Sequence, residues 1–324
     1  MFQLLVLLSL CAALVGASAQ SAPDLTLVQE IELPGTRGRI DHLSIDLEHR
    51  LLFIAALGGD AVDVVDLQAA RRVAKLDGRR EPQGVLYVPV LQRLLVANGA
   101  GGTIESFHDT RRESVIPDLP DADNLRLDPR SGLVYAGHGS ALAEIDARSM
   151  KILRRFALPG HPESFQLAST AQRIYVNVPA TSSVVVLDRE SGRTIATWSL
   201  APRAGNFPMA LDETGHRLFV ATRKPASLVV LDSESGVKVA ETALCGDADD
   251  LFVDAERRVV YAVCGEGQIA VVPQPDADHL GPVRRTQTAD GARTGLFVPG
   301  LKTLFVAAPA RAGRSAKVMV YRAN

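Results

Sequence analysis

Most of the signatures that would assign a chemistry to this chain are missing from it. There is no H-x-x-x-H, no C-x-x-C-H and no G-x-S-x-G, so zinc-peptidase, c-type haem and α/β-hydrolase readings lack their motifs. Excess charge is missing too. A formal net charge of -2 gives no clustered basic face of the kind nucleic-acid binding needs, and no nucleic-acid partner is expected. Beyond the N-terminus no run is long and apolar enough to cross a membrane. Helical periodicity is also absent between the apolar runs, which excludes a βαβ chain. Gly99, Gly101 and Gly102 follow a strand but open no helix, so they read as a tight loop and not as a phosphate cradle.

At the N-terminus an apolar run from Leu4 to Val15 leads to Ala17-Ser18-Ala19, an A-x-A site. A run this short with a small-residue exit reads as a secretory signal peptide covering residues 1–19, although only the terminal amine supplies its positive charge. The expectation is a periplasmic or secreted protein, cleaved near Ala19, with residues 20–324 forming one domain. Removal of Cys11 leaves Cys245 and Cys264. A lone pair in an exported chain invites a disulfide. Pairing Val253 with Val259 sets Ala248 opposite Cys264, with Cys245 three residues further on. The two thiols are then either bonded or two unlinked small residues near a sheet edge.

What the chain does contain is a repeat. Its clearest copy is R-I-Y-V-N-V-P-A-T-S-S-V-V-V-L-D-R-E-S-G, Arg173 to Gly192: two short strands, a Pro-containing loop, and a turn in which Gly192 supplies a positive φ. The apolar-aromatic core recurs around Phe53, Leu95, Tyr135, Tyr175, Phe219, Tyr261 and Phe305. The steps between them are 42, 40, 40, 44, 42 and 44 residues, a period that suits propeller blades. Each copy has a short strand upstream and one or two downstream. The seventh copy runs out of chain after three strands, while a spare strand, Leu25 to Leu33, precedes the first. The expected fold is all-β: a seven-bladed β-propeller with four-stranded blades, closed by the N-terminal strand completing the last one.

These units resemble the repeats of the YVTN-repeat, or YncE-like, family of secreted seven-bladed propellers, with R-I-Y-V-N-V-P and S-V-V-V-L-D-R-E-S-G standing for the family's repeat core. The resemblance spans the whole mature chain. It implies the fold and brings no catalytic motif with it.

In a propeller the residues leading into the innermost strands ring the mouth of the central channel. Here they are Asp41-His42, Pro82-Gln83, Asp123-Asn124, Glu163-Ser164, Asn206-Phe207, Asp249-Asp250 and Arg293-Thr294, with Asp60, Asn98, His138, Asn177, Arg223 and Glu266 on neighbouring loops. The expected site is a polar funnel built from Asp41, His42, Gln83, Asp123, Asn124, Glu163, Asn206, Asp249, Asp250 and Arg293. It would hold a small polar ligand or a protein partner, with no cofactor assigned beyond a divalent cation such as calcium. His42 and His161, from blades one and four, are expected on opposite sides of the ring. The leading expectation is a monomeric binding or scaffolding propeller. Its alternative is a metal-dependent hydrolase similar to the gluconolactonase and paraoxonase propellers, in which Glu163, Asn124, Asn206 and Asp249 would hold the metal. Asp247, Asp249 and Asp250 crowd three carboxylates into the start of blade six, which calls for either a cation or an Arg partner such as Arg293.

Overall fold

Runs of β-branched and aromatic residues become strands wherever they can be buried against another blade. The computed structural model describes residues 24–311 and 313–324, and the signal-peptide expectation for residues 1–19 lies outside them. The described strands form seven four-stranded antiparallel sheets, six of them built from consecutive strands. Blade 1 is Leu43–Asp46, Leu51–Ala56, Ala61–Asp66 and Arg71–Asp77. The innermost strands of blades 2 to 7 are Pro82–Val88, Leu125–Leu127, Phe165–Leu167, Ala204–Asp212, Ala248–Asp254 and Thr294–Val298. No described helix is long and apolar enough to cross a membrane.

The core is a set of seven seams, one between each pair of neighbouring blades. Burial on both faces falls on the second and third strands, such as Arg173–Val178 and Ser183–Asp188. Outermost strands alternate between buried and solvated residues, as Lys151–Ala157 does. Innermost strands lie between these two patterns. They are only partly covered, because one edge faces the channel, as at Arg126 and Leu127.

Closure is made by the strand Leu25–Leu33, which pairs antiparallel with Ala316–Ala323 on the outside of blade 7. Leu25 is buried in the seam between blades 6 and 7, and Ile31 and Leu33 in the seam between blades 7 and 1. Leu27 is 44 % exposed, because the register shifts between Leu27 and Gln29 and turns it outward.

Turns on the face away from the strand starts are held by aspartates. Asp66, Asp146, Asp188 and Asp232 each accept backbone N–H bonds from the residues two or three positions on. Gly192 closes one of these turns at φ 74°.

Candidate functional site at the channel mouth

The strands leading into the channel do not run in simple register. In blade 1 the Asp41 N–H donates to the Ala55 carbonyl while the Ala55 N–H donates to the His42 carbonyl, so two residues face one. Asp123 and Asn124 face Gly137, and Glu163 and Ser164 face Asn177, in the same way. Register shifts at Pro82/Gly84, Asn206/Met209 and Ala248/Asp250 repeat the feature in blades 2, 5 and 6. A bulge re-aims the side chain of its extra residue. Repeated around the ring, it turns Asp41, Gln83, Asp123, Glu163 and Asp249 into one cluster. Gly84 permits the tightest approach, since a Cβ there would lie 2.2 Å from the Asp123 carbonyl oxygen.

Ion pairs knit the cluster together. Asp249 takes Arg223 at 2.6 Å and Arg39 at 3.6 Å, and Arg39 also reaches Asp41 at 2.9 Å. Asp247 is held by Arg223 at 3.2 Å and by Arg293 at 3.0 Å. His42 stands 3.5 Å from Asp250 and 3.7 Å from Asp41. The Gly295 N–H donates to Asp250. Gln83 donates to Asp121, which lies 3.4 Å from His161.

His42 and His161 are not on opposite sides of the ring. Both approach Asp123, at 4.0 and 3.9 Å, one on each carboxylate oxygen. Their side chains extend across the channel from blades 1 and 4, and blade 3 supplies the carboxylate between them.

Of two predicted amides, one is tied into the scaffold and the other is buried without a partner for its oxygen. Asn206 is 0 % exposed and donates to Asn177 Oδ1 and the Ser183 carbonyl, joining blades 4 and 5. The bulge in blade 5 falls beyond it, and Phe207 carries the Arg223 guanidinium 3.8 Å over its ring. Asn124 is buried, with no donor for its Oδ1. Among the loop residues, Asp60 accepts the Glu81 N–H, Asn98 donates to Thr103 and Glu105, Asn177 donates to the Phe207 and Pro208 carbonyls, and Glu266 is exposed. His138 has no partner on either ring nitrogen, and burial with nearby Arg155 pushes it down to about 4. Cys245 and Cys264 are joined in a disulfide with Cα atoms 5.9 Å apart. Ala248 does face Cys264, but Val253 pairs with Val260 and not with Val259, and the bulge at Asp249 absorbs the difference.

Burial dominates the electrostatics. It raises Asp41 to about 7 against the pull of His42 and Arg39, and with the charge of Asp123 it raises Glu163 to about 7. Burial also raises Asp249, although Arg223 and Arg39 oppose it. His42 resists burial, and Asp250, Asp41 and Asp123 lift it to about 10. His161 is lifted to about 8 by Asp123, Asp121 and Glu163 despite its own burial. Asp123 alone among the central carboxylates is held low, because both histidines outweigh its burial.

Several of these groups still lack hydrogen bonds. Asp123 Oδ1, Asn124 Oδ1 and Asn206 Oδ1 are buried acceptors with no hydrogen-bond donor, and Asp41 Oδ2 and Asp249 Oδ2 meet only the Arg39 guanidinium, at 2.9 and 3.6 Å and out of line. The metal-site expectation was Glu163, Asn124, Asn206 and Asp249, and the donor set fits a hard cation poorly. Asn124 Oδ1 and Asn206 Oδ1 are free acceptors, but Asp249 already carries two guanidinium groups, and among the described residues no three His, Cys, Asp or Glu side chains are grouped to hold a metal ion.

Sequence reasoning missed Arg39 and Arg126. Arg39 sits in an irregular loop ahead of blade 1 and carried no pattern. Arg126 did carry one. It occupies the innermost-strand position filled by Ser44, Leu86, Gln166, Ala210, Phe252 and Leu296 in the other blades, and is the one charge in that register.

The fold and site define a seven-bladed β-propeller with a charged channel mouth. The chain matches no family model, and no curated protein matches it. Among solved structures it is similar to Kuenenia stuttgartiensis hydrazine synthase, with a TM-score of 0.76 at 15 % identity over 90 % of this chain and 98 % of that one. It is also similar to a chain of a mitotic checkpoint complex, with a TM-score of 0.74 at 11 % identity over 99 % of both chains. At such identities the likeness is one of fold, and fold alone does not fix function.

Proposed function

We propose that this protein is an exported binding propeller that takes a small, donor-rich polar ligand bearing an ammonium group at its channel mouth. The observation that carries this reading is the contrast between two sets of aspartates. On the far face Asp66, Asp146, Asp188 and Asp232 have their acceptors filled by turn amides. At the mouth Asp123 Oδ1 is buried with no donor within hydrogen-bond distance, and Asp41 Oδ2 and Asp249 Oδ2 share the single Arg39 guanidinium, at 2.9 and 3.6 Å, without an aligned N–H bond. Buried acceptors left unpaired cost about 1–3 kcal/mol each. A ligand N–H or O–H would remove that cost. An added positive charge would also return Asp41 and Glu163, held near 7, to their ionised forms. Export is supported by the apolar N-terminal run and by the Cys245–Cys264 bond.

Thermal melting in methylammonium and in calcium, at matched ionic strength, tests the reading. A ligand at 100 times its dissociation constant adds about 2.7 kcal/mol to stability. Methylammonium is expected to raise the melting temperature of the wild type and not of Asp123→Asn, with calcium giving no comparable shift. A calcium shift lost in Asp249→Asn would favour the hydrolase-type metal site instead. No response to either would end the proposal.

A further inference from the structure

Below the mouth the channel widens into a cavity of about 420 Å3, lined by innermost strands of all seven blades. Ligand pockets run to roughly 300–1,000 Å3. His42 and Asp250 of the mouth cluster belong to its wall, so cavity and mouth are continuous. Most of the wall is apolar, with residues such as Leu86, Met209 and Phe297. Its polar members are His42 and Asp250 toward the mouth, Ser44, Ser164 and Gln166, and one cation without a carboxylate partner, Arg126.

Arg126 makes one hydrogen bond, from Nη1 to the carbonyl of its neighbour Leu125 at 2.9 Å. One face of its guanidinium lies 5.6 Å from the centre of the Phe165 ring. Unlike Arg39, Arg223 and Arg293, it forms no ion pair among the described residues. The negative groups that act on it, Asp250 and Asp123, do so from a distance, and each already has a closer partner of its own. Burial lowers its pKa, but a guanidinium keeps its proton. Arg126 is half-buried, so most of its five donors are uncommitted and open to the channel, where only water answers them unless a ligand does.

We propose that Arg126 binds a carboxylate group of the ligand inside the channel. A guanidinium offers two parallel N–H donors that match the two oxygens of a carboxylate, and a cation–π approach to Phe165 holds it at the channel wall. The inference deepens the reading of the mouth: with an ammonium group above and a carboxylate below, the ligand is a small zwitterionic amino compound.

Saturation-transfer NMR with separate probes tests the two ends independently. Wild-type protein is expected to transfer magnetisation to acetate and not to acetamide, its neutral isostere. Arg126→Gln is expected to lose the acetate signal and Arg126→Lys to retain a weakened one, while methylammonium transfer stays at the wild-type level in both. Equal transfer to acetate and acetamide in the wild type, or an acetate signal that survives in Arg126→Gln, overturns the assignment. The acetate comparison needs only wild-type protein, so it stands even if a variant fails to fold. Loss of methylammonium binding with acetate binding intact would sink the mouth reading and leave Arg126 in place.

Discussion

At the scale of single residues, the mouth is a place where burial and charge work against each other. Asp41 and Glu163 keep protons up to about 7, and His42 and His161 keep theirs to about 10 and about 8. All four have folded-state values above their ordinary ones, so each contributes stability that is present at low pH and is lost as pH rises through the folded value. Asp123 has the opposite sign, but its contribution is already complete above about pH 4. Melting temperature is therefore expected to fall by several degrees between about pH 5 and pH 9. Asp41→Asn should flatten the acidic part of that slope, and an unchanged profile would show that Asp41 titrates normally. Ammonium binding should strengthen over the same interval as the carboxylates ionise. Arg223 gives a second test. It pairs with Asp249 and Asp247 and stacks on Phe207, and Arg223→Ala would leave Asp249 with only the longer Arg39 contact. A loss of about 3 kcal/mol in chemical denaturation is expected for breaking such a buried pair. A loss within error would mean that Arg39 closes the gap.

At the scale of elements, strands and blade count were legible because each blade buries one strand centred on an aromatic residue or, in blade 2, on Leu95, and Phe53, Tyr135, Tyr261 and their equivalents mark its period. The bulges were not legible. An extra residue at Asp249 changes which way a side chain points without disturbing the apolar pattern of Leu251 to Val253 on which strand recognition depends. For that reason Asn206 was read into the funnel when Phe207 holds the turned-out position, and the two histidines were set apart when Asp123 gathers them. Arg126 could have been found by aligning the blades and asking which one breaks an apolar register. The closing strand makes its own prediction. Leu25, Ile31 and Leu33 are buried there, and a protein starting at Gly35 should lose roughly 5 kcal/mol or more, at about 1.5–3 kcal/mol for each buried side chain. Melting of that truncation at the temperature of the longer protein would contradict the closure.

At the scale of the whole molecule, the ring has no internal staple other than Cys245–Cys264, which lies within blade 6 and crosses no seam among the described residues. Alkylation of denatured, unreduced protein should leave both of these cysteines unmodified, and labelling of either would show the pair unlinked. The ring is closed only where residues 25–33 meet residues 316–323. In that pairing Leu25 is opposite Ala323, and the Asn324 N–H donates to the Asp24 carbonyl. Asp24 and Asn324 therefore leave the ring side by side. A pull applied at these two residues loads the first rung of an antiparallel ladder and opens it one rung at a time, as a zipper, and does not share the load across the strand. Held at one and dragged by the other, the protein would give way at this strand pair under small force, while the five seams to which Leu25–Leu33 contributes nothing and the charged mouth remained intact.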